Sequence, residues 1–280
     1  MAASIGDLRH SKEQLYGTLI LIFGIAIWLL LALVLVAGAL AQNSFAQLII
    51  LVVEIAIFAL IIFIMGLFHR AYLFGHAVLI TERQFPQLHA SLQRGAEKLG
   101  LASVPQSFLY NSNGLVNAFA ARMGARSMVL ITSAIVDVDT QAQVDFIIGH
   151  ELGQHAAGHL SPWKNFLKLP GTFVPLLSTA YHRARELTAD RIGAYCVDDL
   201  AAARGGLAML ACGSAKLNAG LDLDAFAAQE KMVPPVTGFL LHIFSTYPRL
   251  TRRIAEVEAY FRRRGMGEPG VAPSRAFAHA

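Results

Sequence analysis

The apolar positions of this chain are unevenly spread, and their pattern changes twice. From Gln14 to Val53 there is no Asp, Glu, Lys or Arg, and after Glu54 the apolar run continues to Phe68. A membrane span needs about 20 apolar residues, so the stretch holds two helices, roughly 16–41 and 47–68, joined by a turn at Gln42-Asn43-Ser44. It is too long for a signal-peptide core, and a second span follows at once. Beyond it the period shortens. Leu88, Leu92 and Leu99 recur at helical spacing and Gly100 stops a helix over 84–100. Three strand-like runs, 106–110, 115–120 and 127–132, then predict a small antiparallel sheet. Helices follow after Thr140, from about Tyr181 to Asp199, and over 249–264. Between Ser161 and Tyr181 an apolar stretch broken by Pro162, Pro170 and Pro175 reads as an insert at the membrane surface or over a site. The expected architecture is therefore mainly α with a small antiparallel β-sheet, an α+β domain over 69–264. It is preceded by a short N-terminal segment (1–15) and a transmembrane helical hairpin (16–68), and followed by a disordered Gly/Pro/Ala tail from 265.

Composition sharpens this. The 280-residue chain is 55% hydrophobic and 15% charged, against roughly 25% charged in an average soluble domain. Arg9 and Lys12 precede the first span, Arg70 and Arg83 follow the second, and the turn has no basic residue. That asymmetry puts both termini and the domain in the cytoplasm, on the cytoplasmic membrane if the source is bacterial. Cys196 and Cys212 are then free thiols in a reducing compartment. Glu54 lies in the second span, where a carboxylate points either to function or, this near the hairpin end, simply to the headgroups. The net charge of +4 is modest. With no aromatic-basic platform, nucleic acid is not an expected partner; the lipid bilayer and protein or peptide substrates are.

The chemistry centres on "GHELGQHAAGH", residues 149–159. A zinc protease helix carries H-E-x-x-H, because residues four apart point only about 40° from each other and so share a face. His150 and Glu151 are in place, but the second ligand position holds Gln154, and His155 comes one residue late. On the helical wheel Gln154 points along the metal face. His155 and His159 fall in the stripe of Val144, Ile148 and Leu152, as buried histidines with satisfied hydrogen bonds. Ligation by His155 needs a π-bulge, and His182, on the face of Glu186, is the less distorted rescue ligand. "RARELTADRIGAY" brings Glu186 and Asp190 onto one face of a second helix. There Glu186 can supply a third, carboxylate ligand and Asp190 can orient a ligand histidine.

These residues resemble the HtpX-type and CAAX prenyl protease family of membrane zinc metallopeptidases, from about Thr81 to Tyr260. "NAFA" at 117–120, "GHELG" at 149–153, "AAGHL" at 156–160, "ELTADRIGA" at 186–194 and "FSTYPRLTRRI" at 244–254 carry the likeness. The resemblance implies a gluzincin-like endopeptidase. Its metal positions are His150, Gln154 and Glu186, and Glu151 is the general base. An edge strand at Asn117, Ala118, Phe119 and Ala120 pairs with extended substrate. Two positions depart from the family: Gln154 stands for a ligand histidine, and Tyr247 replaces the histidine of a Thr-His-Pro segment. A tyrosine can still donate to an oxyanion. A glutamine carbonyl is a poor zinc ligand beside imidazole, so Zn2+ is expected to bind weakly or not at all. Two functions follow: an impaired zinc endopeptidase, or a non-catalytic relative that binds peptide or a partner.

Overall fold

The computed structural model describes residues 4–41 and 46–265; the expected turn at 42–44 and the tail beyond Gly265 lie outside them. A short helix, α1 (Ile5–Leu8), leads into two long ones, α2 (Ser11–Ala41) and α3 (Ala46–His76). Both are long and apolar enough to cross a membrane. Their Leu, Ile, Val and Phe side chains are largely exposed, as lipid-facing surfaces are.

Next come β1 (Val78–Leu79), α4 (Pro86–Lys98), β2 (Gln106–Tyr110), β3 (Ala118–Met123) and β4 (Arg126–Thr132). The sheet order is β1-β2-β4-β3, so β3 is an edge strand. The sheet is mixed, which corrects the antiparallel expectation: β1–β2 and β3–β4 are antiparallel, but β2 and β4 run parallel. The physical reason is topological. β3 folds back on β4 through a tight turn at Gly124, in the left-handed region at φ 59°, which leaves β4 to enter beside β2 in the same direction.

The helical part comprises α5 (Ser133–Val138), α6 (Gln141–Ala156), α7 (Pro162–Lys168), α8 (Leu177–Val197), α9 (Leu200–Cys212), α10 (Ala215–Ala219), α11 (Leu223–Ala228), α12 (Pro235–Phe244) and α13 (Leu250–Arg263). Short 3-10 turns occupy Pro170–Phe173 and Gln229–Met232. Helix α6 starts at a capping box. The Thr140 hydroxyl accepts from the Gln143 N–H, and the Gln143 side chain accepts from the Thr140 N–H at 2.8 Å. Val144, Phe146, Ile148 and Leu152 join Ile192, Ala194, Leu207, Ile254 and Val257 in the main core. Truncating one such leucine or isoleucine typically costs about 2–5 kcal/mol.

Helices α6 and α8 cross at glycines. A Cβ on Gly193 would meet the Phe146 carbonyl oxygen at 2.8 Å and the His150 nitrogen at 3.1 Å. That near backbone-to-backbone approach lets His150 reach side chains of α8. The glycines of "GHELG" and "DRIGA" therefore serve packing.

The hairpin is fastened to the domain on two sides. Leu73 at the end of α3 packs with Phe108, Met128 and Leu130 of the sheet. Along α2 lies the insert, whose backbone approaches so closely that Gly24 and Gly171 have no room for a Cβ. The Trp28 indole donates to the Phe166 carbonyl at 3.0 Å and stacks on its ring. The N-terminal segment is docked as well: Leu8 is buried in the main core, and the His10 N–H donates to Thr188 Oγ1 at 3.0 Å.

Candidate active site

Helix α6 presents His150, Glu151 and Gln154 to a cleft of about 530 Å3, and α8 presents His182 and Glu186. Asn117, Ala118, Phe119 and Ala120 line one wall, and Tyr247 and Arg253 also face the space. The expected site residues thus gather in one cleft, apart from His155 and the buried Asp190 behind His150. His155 turns away to the Met128 carbonyl, 2.9 Å from its Nε2.

His150 is held by α8. Its Nδ1 lies 2.9 Å from Asp190 Oδ1, and its Nε2 lies 3.6 Å from Glu186 Oε2. Burial works to lower the His150 pKa, but the hydrogen bond and charge of Asp190 outweigh it and the shift is upward. Asp190 is itself gripped by the buried Arg253, whose Nε and Nη2 donate to Oδ2 and Oδ1 at 2.8 and 2.6 Å. Burial opposes the charged Asp190; Arg253 and His150 prevail and hold it down to about 2. The order Arg253–Asp190–His150 fixes the imidazole with Nε2 toward the cleft. Glu151 is pushed up to about 7, first by burial and then by Glu186, against the lowering effects of His150 and of the Ala120 backbone N–H that it accepts. Tyr247 is 63% exposed, and Glu186, then burial, raises its pKa.

Position 154 behaves differently from a ligand. Gln154 Nε2 donates to Glu186 Oε1 at 3.2 Å, while its Oε1 lies 2.6 Å from His159 Nδ1. A carboxylate has only acceptors, which fixes the amide orientation and makes His159 Nδ1 the donor. His159 Nε2 faces Glu13 Oε1 of α2 at 3.0 Å, so that contact holds one further proton, shared within the pair. His159 is buried with both nitrogens satisfied, as expected, but not in the core stripe. The helix ends at Ala156, and Gly158 at φ 71° turns the chain back toward Gln154. Wheel geometry does not extend past that point. Glu13 and Arg253 are functional neighbours that sequence reasoning missed, because they come from 146 and 63 residues away.

The donor set does not fit a three-ligand zinc site. Among the described residues no three His, Cys, Asp or Glu side chains converge as a metal cluster. The amide oxygen at 154 is turned toward His159, and the amide NH2 occupies Glu186. His182 lines the cleft but adds no third converging donor.

A helix-borne His-Glu pair, a carboxylate from a crossing helix and an edge strand along the cleft define a metallopeptidase scaffold, here carried on two membrane-length helices. The sequence profile of Peptidase family M48 matches residues 82–165 and 164–260, and the chain belongs to that family. It is 26% identical to a protease HtpX homolog of Thermodesulfovibrio yellowstonii over 257 residues, covering 74% of this chain and 89% of that protein. It is also 26% identical over 172 residues to the chloroplastic plastoglobule-localized metallopeptidase 48 of Arabidopsis thaliana, covering 56% of this chain and about half (49%) of that protein. No solved structure matches significantly. Peptidases of this family are zinc-dependent, and membership makes this a protease-type protein; the likeness to an HtpX homolog and the two long apolar helices make it a membrane protein.

Proposed function

We propose that this chain is a membrane-anchored M48 relative that takes an extended peptide along β3 and binds it without efficient zinc-dependent hydrolysis. The domain faces the cytoplasm, as the basic flanks Arg9, Lys12, Arg70 and Arg83 indicate. Asn117 and Thr132 pair toward β4, and the Ala120 N–H points away to Glu151. Alternation along an antiparallel strand then turns the backbone groups of Ala118 and Arg122, and the carbonyl of Ala120, to the outer edge, where a peptide can add as a strand. Glu151 keeps the position of the general base, Tyr247 that of an oxyanion donor, and His150 and Glu186 those of two metal ligands with Asp190 behind them. The observation that carries the reading is Gln154, which bridges His159 and Glu186 in the place of the missing ligand.

Zinc quantification on the unaltered full chain, beside binding and cleavage of fluorescent unfolded casein, tests this. The expected result is well under one zinc per chain with casein bound and uncleaved. Stoichiometric zinc with cleavage abolished by Glu151→Gln would overturn the reading.

A further inference from the structure

A second cleft, which shares no lining residue with the peptide groove, lies where the first membrane helix meets α8, α12 and α13. It is lined by Lys12, Tyr16, Arg183, His242 and Arg252 and by no carboxylate. We propose that it is a binding site for the phosphate of an anionic phospholipid headgroup.

The charge is unspent. Arg183 donates to the carbonyls of Ile243 and Ser245, at 3.3 and 2.5 Å from Nη1, and its guanidinium is buried. Among the described residues no ion pair within 4 Å engages Lys12, Arg183 or Arg252; the acids of this end are paired elsewhere. Glu256, whose charge interacts with Lys12, is taken up by His10 at 3.4 Å and Arg191 at 3.6 Å. Glu230 is taken up by Arg249 and Thr251. His242 adds an orphan: its Nδ1 is buried with no hydrogen-bond partner. Burial, and then the charges of Arg183, Arg252, Arg249 and Lys12, press His242 down to about 4. It is therefore neutral at pH 7 and keeps one ring N–H to offer. The space, about 40 Å3, compares with about 10–15 Å3 for one water on the same scale, which suits a phosphate group.

Position selects a lipid over a free anion. Lys12 and Tyr16 stand in the first turns of α2, where the charge-free stretch begins, at the level where basic and aromatic side chains meet headgroups. Beside the cleft, α12 turns Val236, Phe239, Leu240, Leu241 and Phe244 outward, the first, second, fourth and fifth of them 70%, 60%, 71% and 68% exposed. Thr179 Oγ1 donates to the Ile243 carbonyl at 2.7 Å and ties α12 to the start of α8, which packs on α2. A bound phosphate thus has an apolar surface next to it for its acyl chains. The inference rests on the membrane anchor and is independent of metal and peptide binding at the other cleft.

The test uses the full chain in nanodiscs of phosphatidylcholine alone or with phosphatidylglycerol, and in detergent with millimolar inorganic phosphate. Thermal unfolding is the readout. Phosphatidylglycerol is expected to raise the unfolding midpoint by several degrees. Lys12→Gln with Arg252→Gln removes that increment and keeps the phosphatidylcholine midpoint. Arg252→Lys, which keeps the charge, and Arg262→Gln with Arg263→Gln, which discharges the far end of α13, both retain it. Equal midpoints in the two lipids, or an increment that survives the Lys12/Arg252 change, would overturn the site. The same increment from inorganic phosphate alone would overturn the lipid assignment in favour of a free anion.

Discussion

His159 Nδ1 holds Gln154 Oε1 at 2.6 Å, and through that contact the first membrane helix is joined to the cleft. The run is Glu13, His159, Gln154 and Glu186, with Arg9 meeting the same Glu13 oxygen, Oε1, as His159 does. His159 and Glu13 are 2% and 3% exposed, so neither can exchange its partner for water. His159→Leu should therefore destabilise the chain by about 1–3 kcal/mol, because it leaves a buried carboxylate with Arg9 as its remaining partner and Gln154 Oε1 without its donor. His159→Leu with Glu13→Leu should cost less than the two single changes added together. Urea unfolding of the four proteins of this cycle in detergent measures the coupling; additive losses would mean that the pair is not coupled.

Restoring the ligand is the sharpest test of the cleft. Gln154→His removes the amide that caps Glu186 and adds an imidazole one turn from His150. The expected outcome is a rise from well below one to near one zinc per chain, together with casein cleavage that Glu151→Gln abolishes. If zinc returned without cleavage, Tyr247 would be the remaining departure, and Tyr247→His in the same background should then restore turnover.

The crossing of α6 and α8 makes a prediction about position. A Cβ at 193 would press on backbone atoms of Phe146 and His150, at 2.8 and 3.1 Å, and backbone does not yield as a side chain does. Gly193→Ala should cost about 1–3 kcal/mol and move His150 away from Asp190. In the Gln154→His background it should also lower zinc affinity, read by competition with a chelating dye. An unchanged melting midpoint and affinity would show that the crossing tolerates the methyl group.

These particulars show how far the sequence could be read. The two spans, β2, β4 and the helices that carry His150 and Glu186 were legible, because apolar periodicity and caps are local signals. The strand expected over 115–120 forms later, at Ala118–Met123, since Asn111 and Ser112 spend their side chains on a turn ahead of it. The two-residue β1 and the parallel β2–β4 pairing were not legible: neither leaves a period in the sequence. The position of His159 leaves no periodic signal, because α6 ends three residues before it. Arg253 and Glu13 reach the site from distant elements, and only the assembled fold brings them there. The meaning of Gln154 changed most. The sequence shows a ligand exchanged, whereas the structure shows that the new side chain has its own two partners.

Asp139 supplies a pH prediction away from both clefts. Both of its carboxylate oxygens are buried without a hydrogen-bond partner, between α5 and α6, and burial pushes its pKa up to about 7. A folded pKa above the unfolded value means that the folded state binds the proton more tightly. Its contribution is therefore fully present below about pH 4 and is lost as pH rises to about 7. Asp139→Asn should gain stability over the unaltered chain across that window and hold a constant advantage above it. The gain is on the order of 1 kcal/mol once solvent screening is allowed for. Melting midpoints of the two proteins at pH 5, 6, 7 and 8 read it directly; parallel curves would mean that Asp139 stays ionised and solvated.

The outer edge of β3 tests peptide recognition without touching the His-Glu helix. With Asn117 and Thr132 paired inward, the N–H of Ala118 points to the cleft side, and no strand of the sheet uses it. Ala118→Pro deletes that donor and leaves the ladder to β4 intact, which is where an edge strand tolerates proline. Losing one hydrogen bond of about 1 kcal/mol should weaken binding of an extended peptide roughly fivefold. Phe119→Pro, which removes an inward donor at the pairing with Leu130, should instead lower the unfolding midpoint. Anisotropy of a labelled unfolded peptide and a thermal melt, run on both variants, separate the two effects. Equal peptide affinity in Ala118→Pro and the unaltered chain would mean that substrate does not add to this edge, and the cleft would then have to hold its ligand by side chains alone.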